Sequence, residues 1–410
     1  MKKKIMIISS TITILILIFA TFSVYAANYY EQKKCIYGNI LYVGGNGPGN
    51  YSSIQNAIDD ANNGDKVYVY EGIYNENINI YKKLDLVGED KNTTIISPGK
   101  SYHSKGIIDI TADRVSLIGF SVQSFPNNLN CTNHGIALLE CDYTTIRDNI
   151  ITVKRSEGHP QNGIYMDVSN HNIIVNNVID SCTEKGLEIT LSHDNNISLN
   201  IIKNNQYSGI SIWGSSNNVI SGNIINNNNY CGIYGAICGN FISNNEINDN
   251  GYAGIRLVSK SCFNTVFSNN ITDNQVYGII IEYNPDPWIP PSEDNHIYRN
   301  NFVNNNQNAY DKYFNHWCKL SLGGSNGNYW DDYNGEDRNG DGFGDTSYVI
   351  PGGSNKDRFP FMEPIDINNI VSYGTEFEIK ISIPRIKLFL NSWFEVFPIL
   401  ERMFEFLKQY

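Results

Sequence analysis

Basic residues are scarce in this 410-residue chain, with 30 lysines and arginines against 42 aspartates and glutamates and a formal net charge of −12 at pH 7. The Asn-rich middle holds no basic cluster, which excludes nucleic acid as a partner, because a phosphate backbone needs a dense cationic footprint. Helical periodicity is missing there too. Asn, Gly and Ser crowd the segment, and these residues compete with helix hydrogen bonds while favouring turns. Soft-metal ligands are few. Beyond the N-terminus, methionine occurs only as Met166, Met362 and Met403. Cu(I) takes sulfur and Cu(II) takes imidazole. His171 and His193 fall in Asn-rich turns where His can replace Asn without consequence, so copper is disfavoured. The eight cysteines follow neither a zinc spacing nor a small disulfide scaffold. Cys238 and Cys262 are the pair placed to meet on successive repeats, and free thiols are the other reading.

What is present is a period. Gly163, Gly186, Gly209 and Gly232 are 23 residues apart, Gly254 follows after 22 and Gly278 after 24, while Gly135 precedes Gly163 by 28. Each glycine is followed by an aliphatic residue, with further aliphatics about 11 and 16 positions on. An asparagine stands near position 14 of each repeat: Asn149, Asn177, Asn200, Asn223, Asn245 and Asn269. A constant short period of this kind marks a solenoid, whose repeats bury an apolar face only by stacking. The apolar residues come in β-branched runs of strand length. The expected fold is all-β: a single-stranded right-handed parallel β-helix of roughly ten coils. The asparagines are expected to stack as a ladder at one corner.

The flanks suggest the remaining organisation. Residues 1–26 combine Lys2, Lys3 and Lys4 with an apolar stretch and a small-residue site at Ala26, reading as an export signal, with retention as an N-terminal anchor the alternative. No other segment has the length and apolarity of a membrane span. Residues 52–62 read as an amphipathic capping helix, started by Ser52 or Ser53 and stopped by Gly64. The β-helix is assigned to 40–320, a Gly/Asp-rich closing module to 321–366 and an amphipathic helical tail to 367–410. In that tail Leu390, Trp393, Phe394, Phe397, Leu400, Phe404 and Leu407 recur at helical spacing around Pro398. Such a face suits packing on the solenoid, or a peripheral membrane or envelope contact.

The repeats GIYMDVSNHNIIVNNVIDSC and GISIWGSSNNVISGNIINNN resemble the NosD-type periplasmic copper-binding β-helix family and, more broadly, pectate-lyase-like carbohydrate-binding and sugar-hydrolase proteins. The entry segment YSSIQNAIDDANNGDKVYVYEGIYNENI is similar to their first coil, and GNYWDDYNGEDRNGDGFGDTSYVIPGGSNKDRFPFM to the closing module of NosD-like surface proteins. The resemblance covers roughly residues 40–365. It implies a β-helix and export, and leaves activity open, because the superfamily spans lyases, hydrolases, epimerases and adhesins. The clustered aspartates of polygalacturonases and the Asp-Pro-His motif of alginate epimerases are not found in the chain.

Strand alternation places the second and fourth residues after each glycine outside. That assigns Tyr165, Asp167, Glu188, Trp213, Tyr234 and Arg256 to one outward face, with Glu282 further along. Aromatic rings stack on sugars, while carboxylates and Arg bind hydroxyls or uronates, so a polysaccharide or envelope glycan is the expected partner. Asp167 and Glu188 fall about 8 Å apart by sheet geometry, within the range of inverting glycosidases. His159 is a candidate base on the adjacent insertion. Catalytic residues are not assigned. An exported glycan-binding or structural protein is the leading reading and a polysaccharide-active enzyme the second. Counted the same way, Asp109 points inward, which signals a register slip in its coil. In the closing module Asp337, Asn339, Asp341 and Asp345, with Gly342 between and the Phe343 carbonyl, match an oxygen-ligand loop for a structural calcium ion. Tyr348 stands where an EF-hand would supply its bidentate Glu.

Overall fold

The computed structural model describes residues 38–99, 105–124, 134–154, 161–282, 291–321 and 324–367. The export signal, His159 and the tail beyond residue 367 lie outside the described residues.

The chain winds as a right-handed parallel β-helix of about eleven turns, slightly more than the period suggested. Three sheets run its length. The glycine sheet has ten strands, from Ile78–Ile80 to Gln307–Asp311. A second sheet has eleven, from Ile40–Val43 to His296–Tyr298, and a third has eleven, from Gly72–Asn75 to Tyr329–Trp330. One coil shows how sequence becomes shape. Asn162–Asp167 lies in the glycine sheet, Ile173–Val175 in the second and Val178–Asp180 in the third. Its inward residues Ile164, Met166, Ile174 and Ile179 are fully buried, as are Leu187, Ile189, Ile197 and Ile202 of the next coil. Each strand pairs in register with its counterpart one coil on, so like residues stack.

The recurring glycine is a packing requirement. A Cβ on Gly209 would lie 2.6 Å from the Ile225 methyl and 2.9 Å from the Gly232 carbonyl oxygen. The coil therefore closes tightly enough for an isoleucine from the third sheet to reach the backbone. The asparagines form the expected ladder and two more. Asn200 donates its side-chain N–H groups to the Ile174 carbonyl (2.8 Å) and to Asn223 Oδ1 (3.0 Å), and its own Oδ1 accepts from the Asn177 amide at 2.9 Å. Asn195, Asn218 and Asn240 repeat this at a second corner, and Asn205, Asn228 and Asn250 at the third. A turn between two sheets then costs no unsatisfied backbone group. Cys238 and Cys262 are disulfide-bonded across successive coils, their Cα atoms 4.6 Å apart.

At the N-terminal end a seven-residue helix, Ile54–Asp60, follows Ser53, whose hydroxyl accepts from the Asn56 amide. It buries Ile54, Ala57 and Ile58, and the Glu76 carboxylate accepts from the Ile54 and Gln55 amides at 2.9 and 3.0 Å. At the other end Phe302, Trp330 and Tyr348 stack at centroid separations of 4.4 and 4.2 Å. The slip in the early coil is explicit. Gly106 pairs with His134, so Ile107 takes the position of Gly135, and Asp109 pairs with Ala137 on the outward side. The inward placement counted from Gly106 is thereby corrected.

Candidate functional site

The outward side of the glycine sheet gathers the residues that alternation assigned to it. Tyr165, Glu188, Tyr234 and Arg256 fall in one row, running through Ser211. Asp167 and Trp213 share the next row, running through Thr190. The face divides into two chemically distinct ends.

The polar end spans Asp109 to Glu188. Glu188 accepts from Asn162 Nδ2 at 2.6 Å and from Lys185 Nζ at 2.9 Å, and Glu184 lies 3.7 Å from the same ammonium. Asn162 and Lys185 precede their glycines, whereas Asp167 stands four residues after its own. Glu188 is thus engaged on the opposite side from Asp167. His134 stacks on Tyr165 with centroids 4.5 Å apart. Burial, with Lys105 and Lys185 nearby, lowers its pKa to about 4, so the imidazole is neutral at ordinary pH. Asp109 accepts from the Lys105 and Gly106 amides at 3.0 and 2.7 Å, yet burial still raises its carboxyl above the usual range.

The aromatic end begins at Trp213. Its indole packs edge-on against Tyr234 at 5.2 Å and donates to Ser211 Oγ at 2.9 Å. Tyr207, Tyr230 and Tyr252 stack in file, with centroids 4.6 and 5.3 Å apart. The Arg256 guanidinium lies among these rings, 5.4 Å from Tyr230, 5.1 Å from Tyr234 and 5.4 Å from Tyr252, and is ion-paired with Glu282. Cys231, Ala253 and Ile280 form the buried floor. Burial pushes the phenols of Tyr234 and Tyr252 up to about 12, with Glu282 adding to both. The tyrosine file escaped alternation because it lies before the glycines, on the bend into the strand. Its signal was in the sequence nonetheless, as a tyrosine two positions ahead of Gly209, Gly232 and Gly254.

Two family descriptions match the chain: a right-handed beta helix region over residues 162–324, and the periplasmic copper-binding protein NosD over residues 55–240. Over these segments the chain is similar to both families, and its fold is a parallel β-helix. No curated protein matches it significantly. Among solved structures it is similar to the A-module of mannuronan C-5 epimerase AlgE4 from Azotobacter vinelandii, at 16% identity and a TM-score of 0.44, over 68% of this chain and 100% of that one. The Dettilon tailspike protein matches at 16% identity and a TM-score of 0.49, over 67% of this chain and 63% of that one. The catalytic domain of a GH87 alpha-1,3-glucanase matches at 13% identity and a TM-score of 0.42, over 72% and 69%.

The NosD-like description raises the question of metals. Among the described residues no three His, Cys, Asp or Glu side chains converge as a metal site. His171 stacks on Tyr143 at 5.0 Å and His193 Nδ1 is 2.8 Å from Ser216 Oγ. In the closing module Asp337 accepts from the Gly340 and Gly342 amides at 2.7 and 2.9 Å, Asn339 from the Asp341 amide at 2.9 Å, and Asp341 from the Phe343 amide at 3.0 Å. Asp345 accepts from the Arg338 amide at 2.9 Å. The four side chains thus shape one exposed loop.

Proposed function

We propose that this is an exported, surface-acting protein whose glycine-sheet face binds polysaccharide. The observation that carries the reading is the aromatic end, where Trp213, Tyr234 and the tyrosine file form a half-buried slab around Arg256. Rings of this kind bury the apolar faces of sugars while their hydroxyl and N–H groups bond sugar oxygens. Tyr165, Asp167 and Glu188 extend the same face toward the N-terminus. The test is retention of the purified protein on immobilised polysaccharides. The native chain is expected to be retarded, and Trp213→Ala is expected to lose that retardation while keeping its circular dichroism. Equal mobility of native and variant protein across neutral and acidic polymers would remove the reading.

A second reading, polysaccharide cleavage or epimerisation, is favoured by the neutral His134 stacked on Tyr165 beside Lys185. Incubation with uronate and neutral polysaccharides would then yield new reducing ends, unsaturated products or altered epimer ratios. We also propose that the loop of Asp337, Asn339, Asp341 and Asp345 takes a structural calcium ion, through carboxylate oxygens that retain free lone pairs. Isothermal titration without calcium uptake at millimolar concentration would overturn that assignment.

A further inference from the structure

Beside the tyrosine file, at the corner joining the third sheet to the glycine sheet, lies a groove of about 640 Å³ lined by Asn204, Asn227, Asn229, Asp249 and Gln275. We infer that this groove and the file form one subsite for a neutral, extended glycan lying parallel to the solenoid axis. The inference rests on the polysaccharide-binding reading and specifies its ligand.

The sequence writes the site as a repeat: NNQYSG, NNNYCG, DNGYAG and DNQVYG, ending at Gly209, Gly232, Gly254 and Gly278. In each unit the second residue (Asn205, Asn228, Asn250 and Asn274) is buried in an asparagine ladder. The first residue takes a left-handed backbone (Asn204, Asn227, Asp249 and Asp273, φ 53 to 56°) and is exposed. An exposed polar side chain therefore recurs once per coil, as the amides Asn204, Asn227 and Gln275 in the first, second and fourth units and the Asp249 carboxylate in the third, next to a phenol ring in the first three coils. The coil rise of about 4.8 Å is comparable to the advance of one sugar in an extended pyranose chain. Amides both donate and accept, which suits hydroxyls.

Charge decides against uronates. Lys185 is held by Glu188 with both side chains mostly covered (15% and 17% exposed), and Arg256 by Glu282 (17% and 25%). A sugar carboxylate would have to displace a protein carboxylate at either cation, and it would meet Asp249 in the groove. The expected ligand is a neutral polymer whose binding changes little with salt.

The test uses the full chain with soluble mixed-linkage β-glucan and galactomannan against polygalacturonate and alginate, followed by a neutral oligosaccharide length series. Asn204→Gly/Asn227→Gly/Asn229→Ala removes three amides, with glycine chosen where φ is positive so that no backbone strain is added. Expected are binding of a neutral polymer, a gain in affinity with each added sugar up to about four, one per coil, and a loss of about tenfold or more in the triple variant. Glu188→Gln/Glu282→Gln, which frees both cations, is expected to gain uronate binding. Unfolding melts confirm that each variant is folded. If Trp213→Ala abolishes binding and the triple variant does not, or if native protein prefers polygalacturonate, this subsite is wrong while polysaccharide binding stands. If native protein binds none of the polymers, both fail.

Discussion

The two ends of the glycine-sheet face share one backbone and one interior and differ completely outside. At the polar end, charges find partners within the face: Lys185 with Glu188, and Asp109 with two amides. At the aromatic end, a single cation is wrapped by three rings and one carboxylate. Beneath both, aliphatic residues and asparagines recur at the same positions, with exceptions such as Met166 and Cys182 under the polar end. A solenoid permits this because each coil contacts only its neighbours, so the exterior can vary while the interior keeps its period. The chemistry of the face is therefore local, and each end can be altered without redesigning the other.

The sharpest check is that the interior is as uniform as this comparison requires. Asn200 underlies the polar end and Asn245 the aromatic end, and each bonds a carbonyl and the next asparagine in the same way. Asn200→Ala and Asn245→Ala should each destabilise the chain by about 4 kcal/mol, because three or four buried groups lose partners worth about 1–3 kcal/mol each. Urea unfolding should give values within about 1 kcal/mol of each other, in line with the scatter of such effects between contexts. A gap of several kcal/mol would mean that the two ends differ inside as well as outside.

Acid should separate the ends. His134 has a folded pKa of about 4 against an unfolded value of 6.5. Between these values the unfolded chain binds a proton that the folded chain refuses, so stability falls as pH drops through that window and levels off below it. The ceiling is about 3 kcal/mol, and His134→Gln should remove this loss. Tyr234 and Tyr252, raised to about 12, stay neutral throughout this range and contribute nothing to it. Asp311 and Asp357, whose carboxyls burial raises to about 6, oppose this trend equally in both proteins. A flat difference between the native and His134→Gln profiles from pH 7 to pH 4 would therefore place His134 in wetter surroundings than its stack on Tyr165 implies.

Much of this was legible in the sequence. The 23-residue period gave coil length, strand parity and one asparagine ladder, because stacking forces like residues into register. Alternation also placed Tyr165, Asp167, Glu188, Trp213, Tyr234 and Arg256 on one side. Counting from Gly106 put Asp109 inside, which signalled a slip in that coil; the true register, in which Gly106 is not the repeat's packing glycine, is visible only when its partner, His134, is known. Partnering was illegible for the same reason. Glu188 turns to Lys185, three residues before it, and to Asn162 on the preceding coil, and Arg256 to Glu282 on the next coil. The two contacts between coils are set by side-chain reach across strands and not by spacing along the chain. The tyrosine file lay outside the strand template, on the corner, where parity has no meaning.

One ion-paired cation from each end offers a finer contrast. Arg256→Ala removes ring contacts and leaves Glu282 without its partner, with an expected loss of about 2 kcal/mol. Lys185→Ala removes a similarly covered ion pair and one more distant ring contact, to Tyr207 at 6.0 Å, while Asn162 still donates to Glu188, so about 1 kcal/mol is expected. Thermal unfolding of the two variants measures the difference. Equal losses would mean that the three rings around Arg256 add no more than the single ring beside Lys185.

The smallest effect tests whether the stacked rings act as a unit. Tyr207 and Tyr230 at the aromatic end, and His134 and Tyr165 at the polar end, have nearly equal centroid separations of 4.6 and 4.5 Å. Double-mutant cycles with leucine keep apolar contact at each position and remove the stacking, leaving a coupling of about 0.5–1 kcal/mol for each pair. The tyrosine pair should keep that coupling as pH falls from 7 to 4, because burial holds the Tyr207 phenol above its ordinary range. The histidine pair should keep it at neutral pH and change as pH falls toward 4, because a protonated imidazole meets the ring face as a cation and not as a neutral plane. Two couplings that respond identically to acid would erase the electrostatic distinction between the ends and leave only a difference in packing.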